Sequence, residues 1–136
     1  MKELSIEEKE LLLKDLCARL PYGVLVKIID KNPTNQNNTC KLVGIDLDIG
    51  SYSLVDIHNY TIETGIEGFK PFLRPMSSMT KKEQYRYDTL EEETIYRPGV
   101  LTCLNLIDFC NAHHLDYCGL IEKGLAIETP EGMYKN

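Results

Sequence analysis

The amino-acid sequence predicts an α+β fold: a small antiparallel β-sheet of three to four strands packed against an N-terminal helix and a helix in the C-terminal half. Segments rich in β-branched residues fill residues 23–58, in the first half of the chain. Apolar residues with helical spacing occur at residues 5–20 and again at residues 100–113. Because no linker divides the 136 residues, the chain is expected to form a single domain, residues 1–136.

The first helix is predicted over residues 5–20. Ser5 and Glu8 have the spacing of a capping box, in which each side chain bonds the backbone N–H of the other residue. Apolar residues recur every four positions at Leu12, Leu16 and Leu20. The charged side chains, Arg19 among them, are expected on the opposite face. This pattern is typical of a surface helix that packs one face on a sheet.

Three strands are expected at residues 23–30, 39–47 and 52–58. A short link containing Gly50 joins the second strand to the third and suits a hairpin. The simplest arrangement of such strands is an antiparallel meander. The polar residues 31–38 are expected to form an exposed loop, and residues 59–67 are irregular or a short fourth strand.

Residues 68–84 connect the strand-rich half to the helical half. Pro71 and Pro75 fix φ locally and disfavour helix for the residue before each, so an extended crossing is predicted from Phe69 to Pro75. Thr80 and Glu83 form a second capping box. A helix is therefore predicted to begin at residue 81 and to continue to about residue 92.

The helix predicted at residues 100–113 has a broad apolar face that is expected to pack on the sheet. This face is formed by Val100, Cys103, Leu104, Ile107 and Cys110. One further helical turn is expected at residues 120–125. Thr129 followed by Pro130 is typical of a last helix start, since Pro suits the first helical position.

The composition is that of an ordinary globular protein, with 43% apolar and 26% charged residues. The net charge of −6 argues against general binding to nucleic acid or to anionic membranes. The charged N-terminus has no signal-peptide core, and no segment is apolar enough to span a membrane. The five cysteines lack paired spacings, so free thiols in a cytoplasmic protein are expected.

The basic residues of the connecting segment are the candidate ligand-binding residues: Lys70, Arg74, Lys81, Lys82 and Arg86. In an otherwise acidic chain they can hold an anion, and the start of the helix after Thr80 adds free N–H donors. The alternative is a purely structural connection in which Phe72, Leu73 and Met76 anchor the segment in the core and the lysines are only solvated.

Residues of the metal-ligand types gather near the end of the 100–113 helix: Cys110, His113, His114, Asp116 and Cys118. Zinc accepts such ligands, and a Cys/His pair oriented by Asp116 is also the arrangement of a nucleophilic enzyme. The segment has no C-x-x-C or H-x-x-x-H spacing. The alternative explanation is that Cys103 and Cys110 are small core residues and the histidines end the helix. We expect neither a metal nor a cofactor.

Three stretches carry a resemblance to other proteins: residues 69–80 (FKPFLRPMSSMT), 113–117 (HHLDY) and 119–128 (GLIEKGLAIE). Over residues 68–134 the chain resembles a group of small proteins of Bacteroidetes gut bacteria and of their phages and prophages. The resemblance to this group implies no particular activity. The resemblance implies an intracellular setting, in a bacterium or an infected cell, and a place among mobile-element genes. The chain departs from the group at Cys118, where an arginine is expected.

Taken together, these patterns favour a non-enzymatic intracellular binding protein that acts through a protein or ligand contact at the basic segment and the C-terminal turn. The first alternative is a phosphate-, nucleotide- or nucleic-acid-binding protein that uses the basic residues of 68–86. The second is a Cys/His- or metal-dependent enzyme that uses Cys110, His113 and Asp116. A protein partner is expected and membrane association is not, and the oligomeric state stays open.

Overall fold

A six-stranded mixed sheet forms the centre of the fold. The computed structural model describes residues 3–29 and 39–134, so the loop expected at residues 31–38 lies outside the described residues. The strands are β1 (Leu25–Ile28), β2 (Thr39–Asp46), β3 (Ser51–Val55), β4 (Thr61–Thr64), β5 (Phe69–Leu73) and β6 (Ile127–Glu128). Their order is β4-β3-β2-β1-β5-β6. The α+β class is confirmed, but the prediction of three to four strands is wrong.

The first four strands form the predicted antiparallel meander, from β1 through β2 and β3 to β4. Gly50 has a φ of +66° in the turn between β2 and β3, a conformation that glycine adopts without strain. The register of β2 against β3 shifts between Leu42 and Gly44, which gives a bulge. The stretch at 59–67, expected to be irregular or a short fourth strand, contributes β4.

The proline-containing crossing is itself a strand, which explains part of the additional sheet. β5 pairs antiparallel with β1, with Pro71 opposite Val26. Hydrogen-bonded and non-bonded pairs alternate in such a ladder. The Ile29 N–H donates to the Gly68 carbonyl, so this pair is a hydrogen-bonded one. Counting along the ladder from that pair, Pro71 falls at a non-bonded position. Its missing N–H therefore removes no hydrogen bond to β1. On its other side β5 pairs in parallel with β6.

Within residues 3–29 and 39–134, three helices complete the fold: α1 (Ile6–Arg19), α2 (Lys81–Tyr96) and α3 (Val100–Ala112). Both predicted capping boxes are present, at Ser5 for α1 and at Thr80 for α2. α2 runs four residues beyond its predicted end at residue 92. The helix expected after Thr129 is not formed, because the Thr129 N–H bonds the Leu73 carbonyl and extends the pairing of β6. Residues 120–125 form turns and not a helix.

α1 covers one face of the sheet and forms the core with it. The buried cluster contains Leu12, Leu16, Val24, Val26, Ile28, Cys40, Leu42, Tyr52, Leu54, Phe69, Leu73, Leu120, Leu125 and Ala126. One expectation for α1 is wrong: Arg19 is fully buried and not on a solvent face. Its guanidinium pairs with Asp15 at 2.5 Å and donates to the Leu115 carbonyl at 2.6 Å. A buried charge of this kind persists only when it is paired.

α3 does not cover the sheet as predicted. It packs against α2 and α1, and the buried cluster within residues 3–29 and 39–134 includes none of its side chains. The sheet face opposite α1, which we call the open face, carries the alternate strand residues, among them Lys27, Lys41 and Lys70. No helix in the described part of the chain is both long and apolar enough to cross a lipid bilayer.

Candidate functional site

The five basic residues predicted to bind an anion do not line one common cleft. Lys70, on β5, borders a cleft of about 410 Å³ beside the start of α1. Arg74 borders two other clefts, near the C-terminal residues 128–134. Lys81, Lys82 and Arg86 are exposed along α2 and line none of these three clefts. Anion binding by this set stays a prediction.

Arg74 is committed to contacts within the protein. Its Nη1 and Nη2 donate to the two carboxylate oxygens of Glu83 at 2.8 and 2.7 Å. They also donate to the His113 carbonyl at 3.3 Å and the Ser78 carbonyl at 3.1 Å, while Nε donates to the Ser78 hydroxyl at 3.3 Å. Since a guanidinium has five N–H donors, these contacts with described residues leave none for an external anion.

Glu83 joins the end of β5, the start of α2 and the end of α3. Besides Arg74, its carboxylate accepts from the Thr80 backbone N–H at 2.8 Å and lies 3.0 Å from Nδ1 of His113. The hydrogen bonds from Arg74, together with the Thr80 N–H, lower the pKa of Glu83 from 4.5 to about 2, although burial opposes them. The same pair raises the pKa of Arg74. The contacts of Glu83 therefore hold the end of β5, the start of α2 and the end of α3 together.

The sheet register gathers three lysines on the open face. Lys27 of β1 lies directly opposite Lys70 of β5. Lys41 of β2 lies opposite Leu25, two residues from Lys27 along β1. None of these three lysines has an ion pair among the described residues. We call Lys27, Lys41 and Lys70 the lysine cluster, and it contains one of the five predicted residues.

The sequence reasoning missed Lys27 and Lys41, although a signal for both was present. Each lysine stands between two apolar residues in a predicted strand. Because successive side chains of a strand point to opposite faces, a polar residue between two buried ones lies on the outward face. The four flanking side chains are all buried: Val26, Ile28, Cys40 and Leu42. What the sequence could not give is the pairing of β1 with β5, which brings Lys27 opposite Lys70.

A cleft of about 370 Å³ adjoins Lys41 on the open face and is lined in part by Leu25, Lys41, His114 and Tyr134. His114 has a φ of +59°, unusual for a residue with a side chain, and its ring stacks on Tyr134 with 3.7 Å between centroids. Its Nδ1 is buried and has no hydrogen-bond partner among the described residues. Burial, assisted by the charges of Arg19 and Arg74, lowers the pKa of His114 to about 4, so its ring is neutral at pH 7.

The residues considered for a metal or a nucleophile have other contacts. Asp116 accepts from the backbone N–H groups of Leu120 and Ile121 at 2.8 and 2.9 Å. Burial raises the pKa of the Cys110 and Cys118 thiols, which disfavours the reactive thiolate. Within the described residues, no three or more His, Cys, Asp or Glu side chains are grouped as a metal site requires.

The hairpin of α2 and α3 exposes several large apolar side chains between Ile95 and Ile107. The exposed fractions are 69% for Ile95, 80% for Tyr96, 77% for Val100, 71% for Leu101, 55% for Leu104 and 42% for Ile107. We call these six residues the hairpin face. The apolar pattern of α3 predicts a helix that packs on the sheet, but the structure leaves these side chains exposed. Cys103, expected to be a core residue, is also exposed.

Comparisons with protein-family models, with curated proteins and with solved structures give no match for this chain. The resemblance of residues 68–134 to proteins of Bacteroidetes and their phages therefore stays a prediction.

Proposed function

We propose that this chain is a non-enzymatic interaction protein that docks through the hairpin face, and that the docked protein is a second copy of the same chain. The observation that carries the proposal is the exposure of the six apolar side chains of the hairpin face. Single exposed apolar residues need no explanation, but a group of them on two packed helices is typical of a protein contact. The intracellular bacterial or phage setting belongs to the same proposal.

The pattern of α3 supports a contact with another helical surface. Val100, Leu104 and Ile107 follow each other at spacings of four and three residues, so they form one stripe along the helix. The opposite side of α3 holds Thr102, Leu106 and Phe109, which are half-buried. A helix that is apolar on all sides is ordinarily buried on all sides. Here one side is covered by α2 and α1, and the other is left for a partner.

The charge distribution favours a second copy as that partner. The whole chain has a net charge of −6, so most approaches between two copies are repulsive. α3 carries a single ionisable acid, Asp108, and this carboxylate accepts a hydrogen bond from the Tyr22 hydroxyl. Two copies that meet through the α3 part of the hairpin face bring little charge together. A two-fold contact of this kind places the same patch on both sides of the interface.

The energy available is sufficient for association. The six side chains together expose the equivalent of about four whole side chains. Fully burying one Val, Leu or Ile is worth about 1.5–3 kcal/mol, so a symmetric pair gains roughly 12–24 kcal/mol. The loss of translational and rotational freedom costs about 4–15 kcal/mol. The midpoints of the two ranges differ by roughly 8 kcal/mol, which corresponds to a dimer with a Kd near 1 μM.

The test is the molar mass in solution, measured by light scattering over concentrations from about 1 to 100 μM, a range that brackets a micromolar Kd. The purified chain is expected to be dimeric, and Leu104→Glu is expected to be monomeric with an unchanged circular dichroism spectrum. Ile57→Glu is the matched control, since Ile57 is 84% exposed in the turn between β3 and β4. A wild-type chain that is monomeric throughout, or a dimeric Leu104→Glu variant, overturns the proposal.

A further inference from the structure

The cleft of about 370 Å³ contains a histidine that the fold holds in an unfavourable state. His114 has a φ of +59°, a left-handed conformation that residues with a side chain rarely adopt. Its side chain is only 8% exposed, and its buried Nδ1 has no hydrogen-bond partner among the described residues. Backbone strain gathers at ligand sites, and buried polar atoms are almost always paired. The two features together mark this cleft as a candidate binding site.

The second ring nitrogen of His114 is the one that a ligand can reach. Nε2 has no hydrogen-bond partner among the described residues either, but unlike Nδ1 it is not buried. Of the three clefts, His114 borders only this one. Because burial lowers the pKa of His114 to about 4, the ring is neutral at pH 7 and carries one proton. Unpaired buried N–H groups are rarer than unpaired acceptors, so we assign that proton to Nε2, as a donor towards the cleft.

The described residues that line this cleft include cations but no carboxylate. Lys41 is exposed and borders the cleft, with its Nζ 3.6 Å from the position that a Cβ on Gly23 would occupy. Arg74 and His113 also border it, but Glu83 already contacts both side chains. Among these lining residues, Lys41 is therefore a cation without an ion pair to any described residue.

We propose that this cleft binds a small molecule that bears a carboxylate, and that Lys41 and His114 both contact the carboxylate. An ammonium group and a neutral N–H donor match the two acceptor oxygens of one carboxylate. The stacked rings of His114 and Tyr134, together with Leu25, form a wall for the apolar part of the molecule. The cleft volume is within the range of small-molecule sites. The hairpin face is not part of this cleft, so the proposal does not depend on the dimer.

A phosphate fits this cleft less well than a carboxylate. α3 ends at Ala112, and both Ala112 and His113 border the cleft. The C-terminal end of a helix dipole is negative, so it opposes a doubly charged anion more strongly than a singly charged one. Phosphate sites ordinarily offer a helix N-terminus or free arginine donors. Here the donors of Arg74 are already used within the protein.

The test is NMR titration of the full chain with benzoate at constant ionic strength, up to about 20 mM, a range that covers a millimolar Kd. The signals of the His114 ring are expected to shift and to saturate, and their nitrogen shifts are expected to report a proton on Nε2. His114→Asn identifies these signals by their absence, since Asn tolerates a positive φ. Benzamide is the matched neutral probe and is expected not to bind. Phosphate is expected to bind more weakly than benzoate.

Lys41→Gln is expected to weaken benzoate binding roughly tenfold or more, the effect of losing one charged hydrogen bond. Because Lys41 is exposed, this variant is expected to keep the circular dichroism spectrum of the wild type. Lys82→Gln is the matched control, since it removes one charge from an exposed position on α2, and it is expected to bind as the wild type does. The proposal is overturned if benzoate does not bind, if benzamide or phosphate binds as tightly, if the ring proton is on Nδ1, or if the control loses as much affinity as Lys41→Gln.

Discussion

Replacing Glu83 by Gln tests whether the Arg74–Glu83 contact stabilises the packing of β5, α2 and α3 against one another. The substitution keeps the size of the side chain and an acceptor for the Thr80 N–H, but it removes the charge that faces Arg74. The contacts of Glu83 lower its pKa from 4.5 to about 2. At about 1.4 kcal/mol per pH unit, this difference contributes about 3 kcal/mol to the free energy of unfolding at neutral pH.

The pH dependence gives the sign of the effect. Because the pKa of Glu83 is lower in the folded chain, its contribution is fully present above pH 4.5 and is lost as the pH falls towards 2. Urea unfolding of wild type and Glu83→Gln is therefore expected to differ by about 3 kcal/mol at pH 7, with the difference shrinking on acidification below pH 4.5. Glu92→Gln is the control, since Glu92 is exposed on the same helix. A Glu83→Gln effect within about 0.5 kcal/mol of the control at pH 7 would refute this reasoning.

Three further tests use urea unfolding to examine other contacts. Tyr134→Phe removes the hydroxyl that accepts from the Leu25 N–H at 2.7 Å, so a loss of about 1–3 kcal/mol and faster hydrogen exchange at that amide are expected; unchanged exchange contradicts this. Gly23→Ala and Gly50→Ala both place Ala at a positive φ, and the added Cβ at Gly23 meets only the flexible end of the Lys41 side chain, which can move aside. The two variants are therefore expected to lose similar stability, and a much larger loss at Gly23 contradicts this. Leu16→Ala is expected to cost about 2–5 kcal/mol because Leu16 is fully buried, and a loss below about 1 kcal/mol contradicts its place in the core.

The sequence predicted an element correctly where the contacts that form it join residues close together in the chain. Ser5 with Glu8 and Thr80 with Glu83 predicted the starts of α1 and α2, because a capping box needs only residues three positions apart. The same signals were insufficient for residues 129–134. There Thr129 followed by Pro130 suits a helix start, but pairing of the preceding residues with β5 takes the Thr129 N–H into the sheet. A long-range contact thus overrides a local preference.

The candidate site was predicted only in part, for the same reason. Lys70 was identified by its charge, but its neighbour Lys27 lies 43 positions earlier in the sequence and joins it only through the pairing of β1 with β5. Arg74 was identified as a ligand-binding residue, whereas the structure commits its donors to Glu83 and to nearby backbone carbonyls. The charge of a residue can be read from the sequence, but its partner cannot.

By itself, the sequence determined the α+β class, the antiparallel meander and the starts of the helices, since periodicity, turns and caps depend on residues close together in the chain. Only the tertiary structure decided that the proline crossing joins the sheet, that Arg19 is buried against Asp15, and that α3 leaves one apolar side uncovered. These outcomes depend on which elements meet in space, and the free energy of such contacts is a property of residues far apart in sequence.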